Sequence, residues 1–294
     1  MTDVPSGVSA PPAPPTLSLV APLGRSPMRL LAALACSSAL LVATLAPSVT
    51  TGASAEEQPT AAQQVLAEAR AMLTGGSGDG PAARRSPGAP GAHTSREATL
   101  VLRDLRAALP RLGATDRAAA ESLLARPTDG RADPEGTGYT TKSQRRCRGH
   151  FCVHYVTSTT DRATSAWVDK TLKVMKKVWK REVGDLGYRA PLSDGALPSS
   201  RNGGNGKFDV YLADVGADLL YGYCSADFVL RKDRTRAGGY CVLDNDFSKD
   251  QYGGKPGKTL AVTAAHEFFH AIQFGYDYYE DRWFMESTAT WVEE

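Results

Sequence analysis

His266-Glu267-Phe268-Phe269-His270 decides the fold, and it lies inside a largely apolar stretch that begins near residue 260 and ends near residue 274. Residues four apart on an α-helix are separated by about one turn along the axis and about 40° around it. One helix over residues 260–274 therefore brings both imidazoles to the same point, with Glu267 beside them. A buried helix does not normally carry two histidines and a glutamate without a partner for them.

The spacing H-E-x-x-H is typical of a zinc site in which two histidines bind the ion. Zinc acidifies a bound water and polarises a substrate carbonyl, while a neighbouring carboxylate takes the water's proton. The motif therefore predicts Zn²⁺ as the cofactor, His266 and His270 as ligands, and Glu267 as the general base. A chance occurrence is the competing interpretation, since the motif is short, but the apolar helix around it favours the zinc site.

A catalytic zinc takes three protein ligands and keeps one position open. The metzincin extension of the motif needs a glycine and a histidine where this chain has Gln273 and Tyr276, so that class is excluded. Residues 283–294, which read WFMESTATWVEE, resemble instead the second helix of the gluzincins, which donates a glutamate to the zinc. This resemblance implies that Glu286 is the third ligand.

The same stretch departs from thermolysin, a member of the gluzincins. Thr290 stands where an aspartate would orient the motif histidine, and the gap between His270 and Glu286 is shorter. Glu293 is therefore either a rival third ligand or a partner that orients a ligand.

A narrower resemblance rests on three blocks: HEFFHAIQ from His266, W-x-x-E-S-x-A-x-W-x-E from Trp283, and GNGKFDVYL at residues 204–212. Together they resemble a little-characterised group of secreted bacterial zincin-like metalloproteases, over roughly residues 138–294. The resemblance implies an α+β fold with a zincin-like catalytic domain, acting on a protein or peptide substrate.

The first 55 residues predict export. Two arginines precede an apolar run at residues 30–45, and Ala53-Ser54-Ala55 has the form of a signal-peptidase site. The run is shorter than the ~20 residues of a spanning helix. We expect an N-terminal extension and signal peptide over residues 1–55, translation starting at Met28, extracellular localisation and no stable membrane anchor after cleavage.

Residues 56–137 predict a removable helical pro-region. Helices are expected at residues 59–73, 95–109 and 116–125, the last with Thr115 as its N-cap, and residues 75–92 have the composition of a linker. Aromatic and β-branched residues become frequent from residue 138, so the catalytic domain is predicted over 138–294. Since the chain ends within the helix that carries Glu286, we expect this domain to be truncated.

Within the catalytic domain, alternating and clustered apolar residues predict strands at residues 151–158, 207–215 and 240–243, and a further helix at 162–183. Residues 283–294 read as a helix that follows the motif helix. This order predicts an α+β domain with helices on one side of a sheet.

Composition and cysteines limit the function further. A net charge of +2 is too balanced for a nucleic-acid partner. Four cysteines remain after signal cleavage, and of the three possible pairings we favour the local ones, Cys147 with Cys152 and Cys224 with Cys241. A zinc knuckle from Cys147, Cys152, His150 and His154 is the alternative.

Several assignments stay open in the sequence. The chain is either a peptidase, a catalytically inactive zincin-like binding module, or a zinc hydrolase of non-peptide amides. Candidates for oxyanion stabilisation are Tyr276, Tyr278 and Tyr279. Candidates for calcium binding, with turn and surface roles favoured, are Asp209, Asp214, Asp244, Asp246 and Asp250.

Overall fold

The computed structural model describes residues 58–75, 98–129 and 133–294, which all belong to the compact unit Glu56–Glu294. The fold is a mixture of helices and one sheet, so the predicted α+β class is confirmed. The predicted signal peptide and most of the predicted linker lie outside the described residues. None of the described helices combines the length and apolarity that crossing a membrane requires.

Three helices precede the sheet in sequence. They are α1 (Ala61–Leu73), α2 (Ala98–Ala108) and α3 (Ala114–Leu123), with a 3₁₀ turn at Leu109–Arg111 between the last two. Helix α1 begins after Thr60, which forms a capping box with Gln63. Thr115 is not the N-cap of α3, because the helix starts after Gly113, whose extended backbone leaves Thr115 inside the first turn. A cap contributes only about 1 kcal/mol, and the packing of buried apolar side chains in α3 outweighs that preference.

The remaining elements are the five strands of the sheet and further helices. They are β1 (Gln144–Arg148), β2 (Phe151–Tyr155), α4 (Ser165–Trp179), a π-helical segment (Lys180–Asp185), β3 (Phe208–Ala213), a 3₁₀ turn (Val215–Asp218), β4 (Gly222–Val229), β5 (Ala237–Asp244), α5 (Lys249–Tyr252), α6 (Pro256–Phe274) and α7 (Arg282–Trp291). Helices α4 and α7 begin after Thr164 and Asp281, whose side chains accept a backbone N–H of the first turn.

The five strands of the sheet run in the order β1-β2-β3-β5-β4. The central strands β2, β3 and β5 are parallel, while β1 and β4 add to the edges in antiparallel orientation. Neither edge strand was predicted from the sequence. Strand β1 reads Gln-Arg-Arg-Cys-Arg and is mostly exposed, so it lacks the apolar alternation that identifies a strand.

Each antiparallel edge carries a disulfide. Cys147 pairs with Cys152 between β1 and β2, and Cys224 pairs with Cys241 between β4 and β5. This is the favoured pairing, and it leaves no thiol among these four residues for a zinc knuckle.

Helices cover both faces of the sheet. One face packs against α4 and α6 through side chains such as Val153, Val210 and Leu243. The opposite face packs against α1, α2 and α3 through Tyr211, Tyr223, Tyr240 and Val242. The expectation of helices on one side therefore holds for α4 and α6, but the other face is covered by the region that the sequence predicted to be a pro-region.

Candidate metal centre

Helix α6 carries the motif residues across the centre of the molecule. It packs against α4 and against strands β4 and β5, so that His266, Glu267 and His270 are all buried. Helix α7 follows after a short loop and packs against the same helix. Glu286, in α7, lies opposite the two histidines.

The two imidazoles and Glu286 converge on one point. The Nε2 atoms of His266 and His270 lie 3.1 Å apart. Glu286 places Oε2 at 3.4 Å from Nε2 of His266 and Oε1 at 3.5 Å from Nε2 of His270. Among the described histidine, cysteine and carboxylate side chains, these three bring their ligand atoms close enough together to hold a metal ion.

The opposite ring nitrogens are held by acceptors. Nδ1 of His266 lies 2.9 Å from Oε1 of Glu293, and Nδ1 of His270 lies 2.7 Å from Oε1 of Gln273. Gln273 is itself fixed, because its Nε2 donates to the Met285 carbonyl oxygen and to the Thr288 hydroxyl in α7. In a neutral imidazole these contacts place the proton on Nδ1 and direct the Nε2 lone pair to the shared point.

Glu293 therefore lies on the side of His266 that faces away from Glu286. This is the position of an orienting partner, and Glu293 supplies the carboxylate that Thr290 lacks. The sequence left the role of Glu293 open, because helical spacing alone does not tell which ring nitrogen a side chain reaches.

The donor set fits a zinc ion. Oε1 of Glu286 is buried and has no well-formed hydrogen bond among the described residues, since Nε2 of His270 lies 3.5 Å away, farther than in an ordinary hydrogen bond. Two histidines and one glutamate are a ligand set of catalytic zinc. A cation at the shared point would satisfy all three side chains together.

The charges around the point also favour a cation. Burial by itself would lower the pKa of His266, but hydrogen bonds with Glu286 and Glu293 outweigh it and raise the pKa to about 10. Burial opposes ionisation of Glu286, yet hydrogen bonds with His266 and His270 lower its pKa to about 2. Glu286 and Glu293 thus create a negative potential at His266, and this potential favours a positive charge there, either a proton or a metal ion.

Glu267 has different surroundings from Glu286. Its Oε2 accepts a hydrogen bond of 2.8 Å from the Thr99 hydroxyl of α2, and burial raises its pKa. Glu267 also lines a cavity of about 820 Å³ together with His266 and Glu293. The other lining residues are Tyr221, Gly254, Lys255, Lys258, Thr259, Val262 and Thr263. This cavity is the space in which a substrate could reach the motif residues.

The tyrosines expected from sequence do not line this cavity. Tyr278 is fully buried and directs its hydroxyl to the Arg103 carbonyl oxygen, while the Tyr276 hydroxyl accepts the Arg189 backbone N–H. Tyr221, immediately before β4, lines the cavity instead. No local pattern marks Tyr221 or Thr99, because each reaches the site through the arrangement of distant strands and helices.

Glu182 is a further buried carboxyl that the sequence analysis missed. It lies in the π-helical segment, is 1% exposed, and neither of its oxygens has a hydrogen-bond partner among the described residues. Burial raises its pKa from the usual 4.5 to about 9, and the nearby positive charge of His266 offsets only part of this effect.

The aspartates considered for calcium have other partners. Asp244 accepts the backbone N–H groups of Gly216, Asp246 and Phe247, which is a turn role. Asp209 is buried and pairs with Arg126 and His154, so the surface role expected for it is wrong.

Comparison with protein-family models, with curated proteins and with solved structures finds no match to this chain. Function is therefore inferred from the site itself.

Proposed function

We propose that the chain is a secreted zinc-dependent peptide-bond hydrolase, a zincin-like metalloendopeptidase. One observation carries the proposal: His266, His270 and Glu286 converge on one point, and Glu267 lies next to them in the wall of a cavity. A pair of histidines held by Nδ1 partners, with a third anionic ligand and an adjacent carboxylate that is not a ligand, is the arrangement of hydrolytic zinc enzymes.

His266, His270 and Glu286 would hold the ion, which supplies a Lewis acid that polarises the substrate carbonyl and acidifies water. Glu267 accepts the proton of the attacking water and returns it to the amine that leaves. Its burial raises its pKa and makes it a stronger base for this transfer than an exposed glutamate. Glu293 and Gln273 keep the imidazoles oriented throughout.

Secretion is supported by two independent features. The signal-peptide pattern precedes residue 56, and both disulfides link antiparallel strands of the sheet, as is common in proteins of oxidising compartments. We therefore propose an extracellular enzyme with protein or peptide substrates.

Cleavage of internally quenched peptides with blocked termini tests this function. We expect the purified protein to cut them, to lose activity with a chelator, and to regain it with zinc. A Glu267→Gln variant should keep stoichiometric zinc and lose hydrolysis, since the amide preserves shape but cannot accept a proton.

Other outcomes distinguish the alternatives. Cleavage of unblocked peptides alone would indicate an exopeptidase, and hydrolysis of small amides but not peptides would indicate an amidohydrolase. Zinc binding without any hydrolysis would identify an inactive binding module.

A further inference from the structure

Helix α2 contributes a side chain to the candidate active centre, although it lies far away in the sequence. The Thr99 hydroxyl and Oε2 of Glu267 are 2.8 Å apart and buried, and 168 positions separate these residues. We propose that Thr99 is a positioning residue for the general base, and that residues 98–129 remain part of the active enzyme. This inference rests on the proposed function.

The direction of the hydrogen bond follows from proton counting. The backbone N–H of Cys224 in β4 donates to Oγ1 of Thr99 over 2.8 Å. A threonine hydroxyl carries one hydrogen, and this contact uses an acceptor lone pair rather than that hydrogen. The hydroxyl hydrogen stays available, and it is donated to Glu267, because an ionised carboxylate can only accept. The Cys224 amide, the Thr99 hydroxyl and the Glu267 carboxylate are thus connected by two successive hydrogen bonds.

These two hydrogen bonds fix the position of the Glu267 carboxylate. One oxygen is anchored to Thr99, while the residue also lines the cavity next to His266. A general base must be held within hydrogen-bond reach of the proton that it removes, and small displacements cost large factors in rate. Thr99 acts through Glu267, which makes it a positioning residue and not a catalytic residue.

Helix α2 also braces the helix that carries Glu286. The Arg103 guanidinium donates to the Glu280 carbonyl oxygen, and the Asp104 carboxylate accepts from Arg282 at the start of α7. The Tyr278 hydroxyl contacts the Arg103 carbonyl oxygen at 3.5 Å. The base and the third ligand are therefore both supported from α2.

Arg126 holds the same segment to the sheet. Its buried guanidinium pairs with Asp209 of β3, with Asp227 of β4 and, at 2.6 Å, with Asp194. Removing residues 98–129 would leave these carboxylates buried without a counter-charge, which is strongly unfavourable. These contacts favour retention of this segment over the removal that the sequence predicts for residues 56–137.

The test compares Thr99→Val, Thr99→Ser and Glu267→Gln in the purified secreted protein. Valine keeps the shape of threonine but can neither donate to Glu267 nor accept from the Cys224 N–H, so we expect kcat to fall roughly tenfold or more with KM and zinc content unchanged. Serine restores the hydroxyl and should restore most of kcat, which a purely structural role of the methyl group would not do. Thermal unfolding of each variant shows whether the fold is intact.

Mass spectrometry of the active species provides the second measurement, and we expect peptides from residues 98–129 in it. An active enzyme that lacks this segment would overturn the inference, as would a folded Thr99→Val variant with the kcat of the parent. If Glu267→Gln also kept the activity of the parent, the proposed function itself would fail, and the two failures are thus distinguishable.

Discussion

Glu267 and Glu286 lie beside the same two histidines, yet their surroundings shift their pKa values in opposite directions. Burial dominates at Glu267 and raises its pKa, while hydrogen bonds with both imidazoles lower the pKa of Glu286 to about 2. A carboxylate that stays ionised, such as Glu286, is suited to bind a cation. A carboxylate with a raised pKa, such as Glu267, is suited to accept a proton. The surroundings of Glu267 and Glu286 thus suit the two different roles that we propose for them.

Exchanging each carboxylate for its amide tests this separation. Glu267→Gln should retain zinc and lose cleavage, whereas Glu286→Gln should lose zinc affinity because an anionic ligand is gone. Glu293→Gln should weaken zinc binding by about 10–100-fold, as expected for a partner that orients a ligand. Zinc content and peptide cleavage at one pH provide the readout. Tight zinc binding by Glu286→Gln, with loss of zinc in Glu293→Gln, would show that Glu293 is the third ligand.

The raised pKa of the buried Glu182 carboxyl makes the stability of the protein depend on pH. Its folded-state pKa of about 9 lies above the usual 4.5, so its stabilising contribution is fully present below about pH 4.5 and is lost as pH rises towards 9. Above about pH 4.5 the buried carboxyl of the folded protein resists the ionisation that is favourable in the unfolded chain, and this lowers stability. Glutamine does not ionise, so we expect Glu182→Gln to be more stable than the parent at pH 8 by at least about 1 kcal/mol. The difference should shrink at pH 5.

Urea unfolding at both pH values, with a chelator present to exclude metal charge, measures the effect of Glu182→Gln. Glu121→Gln is the matched control, because Glu121 is exposed on α3. Equal stability of the Glu182→Gln variant and the parent at pH 8 would contradict the burial of an unpartnered carboxyl.

Among the elements, the helices of residues 61–123 and the sheet depend on each other. Tyr211, Tyr223 and Tyr240 are covered by α1, α2 and α3, and each is at most 4% exposed. The Tyr240 hydroxyl donates to the Ala125 carbonyl oxygen, which ties the residues after α3 to β5. These contacts make the helical layer part of the same hydrophobic core rather than an appended segment.

Arg126→Ala tests this dependence. The substitution leaves Asp194, Asp209 and Asp227 without their buried counter-charge, so we expect a loss of about 3–5 kcal/mol in the free energy of unfolding. Arg148→Ala, at an exposed position of β1, should change stability by less than about 0.5 kcal/mol. Chemical unfolding of both variants measures these changes. If Arg126→Ala and Arg148→Ala unfolded at similar denaturant concentrations, the buried cluster around Arg126 would not be essential for stability.

At the scale of the whole molecule, the features that could be predicted from sequence are those that depend on residues close together in the chain. The H-E-x-x-H spacing placed three site residues on one helix, and the favoured cysteine pairs are those of the structure. Strand β3 was predicted as well, but the alternation of its apolar residues does not indicate that Asp209 and Tyr211 are buried, as both are. The contacts that bury them come from Arg126 and the first three helices, and no periodicity in β3 records such distant partners.

The bond between Thr99 and Glu267 also has a consequence for the order in which the centre forms. Bringing together two residues that are 168 positions apart costs far more chain entropy than a local contact, so this bond depends on the rest of the fold being in place. A chain that crosses a membrane unfolded would have its histidines and glutamates without their geometry. The proposed peptidase activity would then arise only after export, once helices α2 and α6 have met, and the producing cell would not be exposed to it during synthesis.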